Sequence, residues 1–184
     1  MSEPVDRGPG APAPGPPAGP DRGAWHEPTA SERLRMLQQT RTIAIVGASS
    51  NPARPSYFVA TYLLSSSTDY EVWFVNPRER EILGRPVYPS LSDLPGRPDM
   101  VDVFRRHDDL PAVAEEAVDA GAHSLWIQLG LWNEEAASIA HAAGLDVVMN
   151  RCLKIEHARF QGGLHLAGFD TGVISARRFL RNPG

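Results

Sequence analysis

The sequence predicts an α/β fold in which five mainly parallel strands form a doubly wound sheet with flanking helices. The β-branched run Thr42–Val46, which ends abruptly in glycine and small polar residues, is typical of a strand buried on both faces. Strand and helix patterns then alternate along the chain, and two of the predicted helices end at Gly121 and Gly144. This alternation, with right-handed crossovers, makes the strands parallel and opens a ligand crevice outside their C-terminal ends.

The first half of the chain supplies one complete βαβ unit. Thr29 and Glu32 have the spacing of a capping box, and the apolar stripe after them predicts a short helix that covers the sheet. After the first strand, Pro55 is well placed to open a helix that runs to about residue 64. A second strand over 70–75 ends at an Asn-Pro pair, which cannot continue it.

The second half continues the same alternation. The segment 83–90 is too short and too interrupted by Gly and Pro for a long helix, so we expect a connecting excursion there. The remaining strands are predicted over 100–104, 124–129 and 146–149, and the remaining helices over 110–120 and 134–143.

The N-terminal residues differ in composition from the rest. Residues 1–24 are rich in Pro and Gly and offer almost no apolar surface to offset the entropy of ordering them. We therefore expect a disordered tail over 1–24 and a single domain over 25–184.

The composition of the chain also indicates which kinds of partner and which cellular compartment to expect. The net charge of −4 argues against nucleic acid, whose phosphate backbone demands a cationic surface. No apolar run approaches the roughly 20 residues of a membrane span, and the N-terminus lacks the centre of a signal peptide. Cys152 is the only cysteine, so an internal disulfide is excluded. We expect a cytoplasmic protein with neither nucleic-acid nor membrane partners.

The residues that follow the first two strands indicate a phosphorylated ligand. A strand-to-helix turn presents backbone N–H groups to an anion, which makes Gly47-Ala48-Ser49 a candidate phosphate cradle. Ser49 and Pro52 occupy the second and third glycine positions of a dinucleotide fingerprint, so a plain NAD site is not predicted. Asn76-Pro77-Arg78 brings a basic residue where NAD enzymes carry an acidic one, which favours the phosphorylated ribose of NADP or coenzyme A. The alternative for Arg78 and Arg80 is a solvated loop.

Five sequence blocks, in order, resemble the small single-domain CoA-binding proteins, a family related to the Rossmann-like CoA-binding domain of the succinyl-CoA synthetase alpha subunit. The resemblance covers roughly residues 40–160. The blocks are Val46-Gly47-Ala48-Ser49; Val75-Asn76-Pro77-Arg78 followed by Ile82-Leu83-Gly84 and Val87-Tyr88-Pro89-Ser90-Leu91; Val103-Phe104-Arg105-Arg106; Trp126-Ile127-Gln128-Leu129-Gly130; and Val148-Met149-Asn150-Arg151-Cys152-Leu153-Lys154-Ile155-Glu156-His157.

The resemblance implies a set of CoA-binding residues. It implies that the first turn holds the diphosphate, that the segment after the second strand approaches the 3′-phosphate, and that Phe104 to Arg106 wall the nucleotide. It also implies that Cys152 lies near the CoA thiol. The expected site residues are Gly47, Ala48, Ser49, Ser56, Asn76, Pro77, Arg78, Phe104, Arg105, Arg106, Gln128, Gly130, Asn150 and Cys152. The arginines after the third and fifth strands can instead pair with carboxylates, namely Asp102, Asp108 and Asp109.

The leading functional prediction is therefore a CoA or acyl-CoA binding protein without evident catalytic machinery, acting as a sensor, carrier or regulatory module. No histidine pair has metal-ligand spacing, and no G-x-S-x-G elbow is present. Two alternatives stay open. One is an NADP-dependent oxidoreductase, which would need a Tyr–Lys pair on one helix, whereas Lys154 is the only lysine. The other is the CoA-binding component of an acyl-CoA ligase that acts with a partner chain.

Overall fold

The computed structural model describes residues 23–65 and 69–161. Five α-helices are present in these ranges: α1 (Ala30–Gln39), α2 (Pro55–Ser65), α3 (Leu110–Asp119), α4 (Glu134–Ala142) and α5 (Leu153–Gln161). Two short 3₁₀ helices lie over Leu91–Asp93 and His107–Asp109. The strands are β1 (Thr42–Val46), β2 (Glu71–Val75), β3 (Glu81–Ile82), β4 (Arg85–Tyr88), β5 (Met100–Val103), β6 (Ser124–Ile127) and β7 (Asp146–Val148). Nearly all of the predicted N-terminal tail lies outside the described residues.

The strands form one sheet in the order β3-β4-β2-β1-β5-β6-β7. Every pair is parallel except β3 with β4. The chain leaves β1 toward β2 on one side and later returns to place β5 on its other side. The strand order therefore reverses at β1, and the crevice expected of such a sheet lies next to it.

Helices cover both faces of the sheet, as the doubly wound prediction requires. Buried residues of α1, α2 and α5 pack with Ile43 and Ile45 on one face. Buried residues of α3 and α4 pack with Ala44 and Val46 on the other face. Alternate residues of β1 thus serve two different cores, because side chains of a strand point to opposite faces. The predicted α/β doubly wound fold is confirmed.

The described residues form seven strands, not the five expected, because the presumed excursion contains a hairpin. Leu83 and Gly84 form the two-residue turn between β3 and β4, with φ values of 52° and 73°. Two positive φ values in succession match the turn that suits the right-handed twist of paired strands. Beyond the hairpin, β4 continues alongside β2 as a parallel neighbour.

Helix α1 begins with the predicted capping box. The Glu32 carboxylate accepts a hydrogen bond from the Thr29 backbone N–H at 2.7 Å, and the Thr29 hydroxyl accepts from the Glu32 N–H at 3.3 Å. The helix also buries Arg33, whose Nε donates to Glu156 Oε2 of α5 at 2.8 Å. Both side chains are about 5% exposed, so this ion pair joins two helices inside the core.

No helix within the described ranges combines the length and apolar character that crossing a membrane requires.

Trp25, just before α1, is anchored to the folded domain. Its Nε1 donates to the Val147 carbonyl at 3.1 Å, and its ring meets Trp132 edge-on with centroids 5.5 Å apart.

Candidate functional site

A cleft of about 930 Å³ lies outside the C-terminal ends of the central strands, at the point where the strand order reverses. This volume is at the upper end of the range for small-molecule sites. The loops after β1, β2, β5 and β6 form it together with the start of α2 and of α5. Its lining residues are Gly47, Ser49, Arg54, Pro55, Ser56, Phe58, Val59, Asn76, Pro77, Arg78, Glu79, Phe104, Arg105, Arg106, Asp109, Gln128, Leu129, Leu131, Cys152 and Ile155.

Gly47 begins the turn after β1, and no other residue fits there. Its φ is +81°, and a Cβ atom would lie 2.2 Å from the Phe104 carbonyl oxygen. The Gly47 N–H donates to the Val75 carbonyl at 2.9 Å, so this amide belongs to the sheet and is not free for a ligand. The amides of Ala48 and Ser49 donate to no described residue, which leaves them as the available donors of the turn.

A carboxylate already sits at this turn. Glu79 Oε1 accepts a hydrogen bond from the Ser50 backbone N–H at 3.0 Å and from the Ser49 hydroxyl at 3.4 Å. The bond from the Ser50 backbone is the main cause that lowers the pKa of Glu79. Since donors that point outward from a turn attract negative charge, the turn after β1 is an anion-accepting element in this protein.

Asn76 fastens the end of β2 to the same turn. Its Nδ2 donates to the Ala48 carbonyl at 2.7 Å, while its Oδ1 accepts from the Arg78 N–H at 2.9 Å. The second bond is the Asx turn that Asn favours before Pro-containing loops. Together these bonds hold the backbone of Arg78 near the turn after β1, and Arg78 lines the cleft.

Basic residues gather on this side of the cleft. Arg54, Arg78, Arg105 and Arg106 line it, against the carboxylates of Glu79 and Asp109. Arg105 Nε lies 3.5 Å from Asp109 Oδ2, a partly exposed pair. The Asp109 pairing expected as an alternative therefore occurs, but Arg105 still lines the cleft.

Gln128, which lines the cleft, forms a hydrogen bond with a buried carboxyl group. Gln128 Nε2 donates to Asp102 Oδ1 at 2.7 Å, and Asp102 is fully buried. Burial raises the pKa of Asp102 to about 8, and its Oδ2 has no hydrogen-bond partner among the described residues. The alternative that Asp102 pairs with an arginine is wrong, because its carboxyl bonds Gln128 and Arg151 pairs with Glu27.

Three of the expected site residues shape loops without lining the cleft. Asn150, with a φ of 54°, accepts a hydrogen bond at Oδ1 from the Gly130 N–H at 2.8 Å, which ties the loops after β6 and β7 together. Ala48 is buried under α2. The other eleven expected residues all line the cleft, including Ser56 at the start of α2 and half-buried Cys152.

Sequence reasoning missed the residues that helices and loop tips contribute. The structure adds Arg54, Pro55, Phe58, Val59, Glu79, Asp109, Leu129, Leu131 and Ile155 to the cleft. Glu79 was detectable as the neighbour of Arg78 in a strand-end loop. The apolar members carry no sequence signal of their own, since apolar residues on helices are ordinary core formers. Within the described ranges, no three His, Cys, Asp or Glu side chains form a group that could hold a metal ion.

Comparison with known proteins relates the chain to one family. The family model described as a CoA binding domain matches residues 41–158. Uncharacterized protein YneT of Bacillus subtilis (strain 168) is 40% identical over 131 residues, which cover 71% of this chain and 96% of YneT. A solved structure, a hypothetical protein from Pyrococcus horikoshii OT3, aligns with a TM-score of 0.69 and 39% identity over 73% of this chain and 93% of that one.

A larger enzyme contains a related region. The ADP-forming acetate–CoA ligase I of Archaeoglobus fulgidus is 27% identical over 130 residues, which cover 65% of this chain but only 19% of the ligase. The matched region is thus about a fifth of that enzyme. The match of the family model over most of the described domain, and the relationship to YneT over nearly its full length, show that this chain belongs to the CoA binding domain family.

Proposed function

We propose that this protein binds coenzyme A in the cleft beside β1, with the diphosphate at the turn after β1 and the 3′-phosphate near Arg78. The observation that carries the proposal is the turn after β1, where Ser49 and Ser50 donate to the Glu79 carboxylate. A diphosphate offers the same kind of acceptor with more charge. Membership of the CoA binding domain family supports this choice of phosphorylated ligand.

The surroundings of the turn supply the rest of the recognition. Helix α2 begins beside it, so the positive end of the helix dipole faces the same space. Arg54 and Arg78 add two cations to the rim, and Ser56 adds a hydroxyl within the cleft. Binding of CoA is the step that a sensor, a carrier and a ligase component would have in common.

Calorimetric titration of the full chain with CoA, dephospho-CoA and NAD tests the proposal. We expect CoA to bind tightest, because NAD lacks the 3′-phosphate that Arg78 would contact. A charge-assisted hydrogen bond contributes about 1.5 kcal/mol at the lower end of its range, which suits an exposed arginine. Arg78→Ala should therefore weaken CoA binding by about tenfold while changing dephospho-CoA binding little.

Arg80→Ala is the matched control, since Arg80 lies in the same loop and is exposed but does not line the cleft. It should leave both affinities near the wild-type values. Equal losses for CoA and dephospho-CoA in Arg78→Ala would show that Arg78 does not contact the 3′-phosphate. NAD binding as tight as CoA binding would refute the proposed function itself.

A further inference from the structure

The residues that line the cleft change from basic at one end to apolar at the other. Its arginines follow β1, β2 and β5, whereas Leu129 and Leu131 follow β6, and Cys152 and Ile155 follow β7. The sheet places these strands side by side in the order β2-β1-β5-β6-β7. A ligand that fills the cleft along this direction therefore meets cations first and apolar side chains last.

Three large apolar side chains that line the cleft are exposed to solvent. Phe58 of α2 is 58% exposed, Leu129 is 63% exposed and Ile155 of α5 is 57% exposed. We call these three residues the apolar rim. Within the described residues the other large exposed apolar side chains are Leu83 and Trp132, and neither lines the cleft. Single exposed apolar residues are ordinary, but three around one cleft mark a binding surface.

One member of the apolar rim is held in place by a cation. Lys154 Nζ lies 3.4 Å from the centroid of the Phe58 ring and 5.3 Å from that of Tyr62. Such a cation–π contact favours this orientation of the ring. Phe58 lines the cleft, whereas Lys154 does not.

We propose that the preferred ligand is a CoA thioester with an extended apolar acyl chain, which lies on the apolar rim while the phosphates occupy the basic end. This inference rests on the proposed function and specifies its ligand. The rim is continuous with the cleft, and the basic end fixes which part of the ligand reaches it. Free CoA would leave Phe58, Leu129 and Ile155 in water.

A protein partner fits the rim less well. A stable interface between proteins buries about 1,200–2,000 Å² in total, and three side chains around a concave mouth supply only a small part of that area. Two alternative occupants of the apolar rim are residues 162–184 of this chain and a second copy of the chain. The experiment distinguishes both of them from a ligand.

The test is calorimetric titration of the full chain with CoA, acetyl-CoA and octanoyl-CoA, with CoA competition to establish a common site. Each fully buried methylene strengthens binding by about fourfold, and an open rim buries only part of the chain. We therefore expect octanoyl-CoA to bind at least about tenfold tighter than acetyl-CoA. Leu129→Asn should reduce this ratio to about threefold or less, since it replaces apolar contact with a polar amide.

Leu83→Asn is the control, because Leu83 is an exposed apolar residue that does not line the cleft and its positive φ suits asparagine. It should keep the wild-type ratio. Equal affinity for all three ligands would overturn the inference while the proposed function stands, and absence of CoA binding would overturn the proposed function. A dimer that Leu129→Asn dissociates, or a fall of several degrees in its melting temperature, would show instead that protein covers the rim.

Discussion

Replacing Gly47 by alanine tests whether the turn after β1 is built around a missing side chain. An alanine held at a φ of +81° carries a strain of about 1–2 kcal/mol. Its Cβ would also lie 2.2 Å from the Phe104 carbonyl oxygen and 2.9 Å from the carbonyl carbon, both of them backbone atoms. Because backbone cannot rotate away as a side chain can, β1 and the loop after β5 must separate, at a further cost of about 1–3 kcal/mol.

Gly84→Ala isolates the steric part of that cost. Gly84 has a φ of +73°, but no atom lies within 4 Å of the position that an alanine methyl group would take, so alanine there meets only the backbone strain. Urea denaturation of both variants should show Gly47→Ala less stable than Gly84→Ala by about 1–3 kcal/mol. CoA affinity should fall in Gly47→Ala alone, because only that turn contains the donors that we propose for the diphosphate. Equal destabilisation and unchanged affinity would refute the reasoning.

Three further predictions concern buried groups and the thiol. Asp102 keeps its proton up to a pH of about 8 when folded but loses it near 3.8 when unfolded, so its burial makes stability fall as pH rises across that window, by up to about 1.4 kcal/mol per unit. Asp102→Asn should be more stable than wild type at pH 8 in urea denaturation, and a deficit independent of pH would contradict this. Arg33→Met should lower the free energy of unfolding by about 3 kcal/mol, because the buried Glu156 carboxylate then keeps only Arg159 as a cationic partner. Arg35→Met should change the free energy of unfolding little, because Arg35 is exposed. A loss no larger than that of Arg35→Met would show that the pair contributes nothing. Cys152, which lines the cleft, should attack CoA disulfide and release one CoA thiol, and mass spectrometry should detect the adduct in wild type but not in Cys152→Ser. An unmodified wild type would indicate a thiol that only packs.

The sheet could be predicted from sequence where a local pattern and the tertiary environment agree. The four residues from Ile43 to Val46 in β1 are all apolar and buried, because both faces of that strand are covered. The β3–β4 hairpin was missed because Leu83 occupies a left-handed position that usually carries Asn or Gly, and Pro86 weakens the strand pattern. Helix α5 was missed because two of its buried residues, Glu156 and His157, are polar.

The polar residues of α5 are buried because other elements satisfy them. Glu156 meets Arg33 from α1, and the His157 Nδ1 lies 2.9 Å from the Tyr62 hydroxyl of α2. Burial lowers the pKa of His157, which favours its neutral form. Neither pairing has a signal in the sequence, since each joins residues more than ninety positions apart.

The residues of the cleft could likewise be predicted where a local pattern marks them, and not where their contacts depend on tertiary structure. Strand-end residues such as Gly47 and Arg78 were found because parallel strands bring their C-terminal ends to one edge. Asp102 was misassigned because its partner depends on register. Asp102 lies beside Trp126, and Gln128 is two residues further along the same face, which brings the carboxyl and the amide together.

The charge of the whole chain is a poor guide to the charge that a ligand meets. The protein carries a net charge of −4, yet among the described residues four arginines and two carboxylates line the cleft. One carboxylate, Glu79, is bound to the turn that a phosphate would use, and the other, Asp109, is paired with Arg105. A phosphate that displaces Glu79 exchanges one acceptor for another at the same donors and gains the field of the surrounding arginines. Because that field is confined to one concave surface at the strand ends, it suits a compact polyanion with few phosphates rather than a long phosphate backbone.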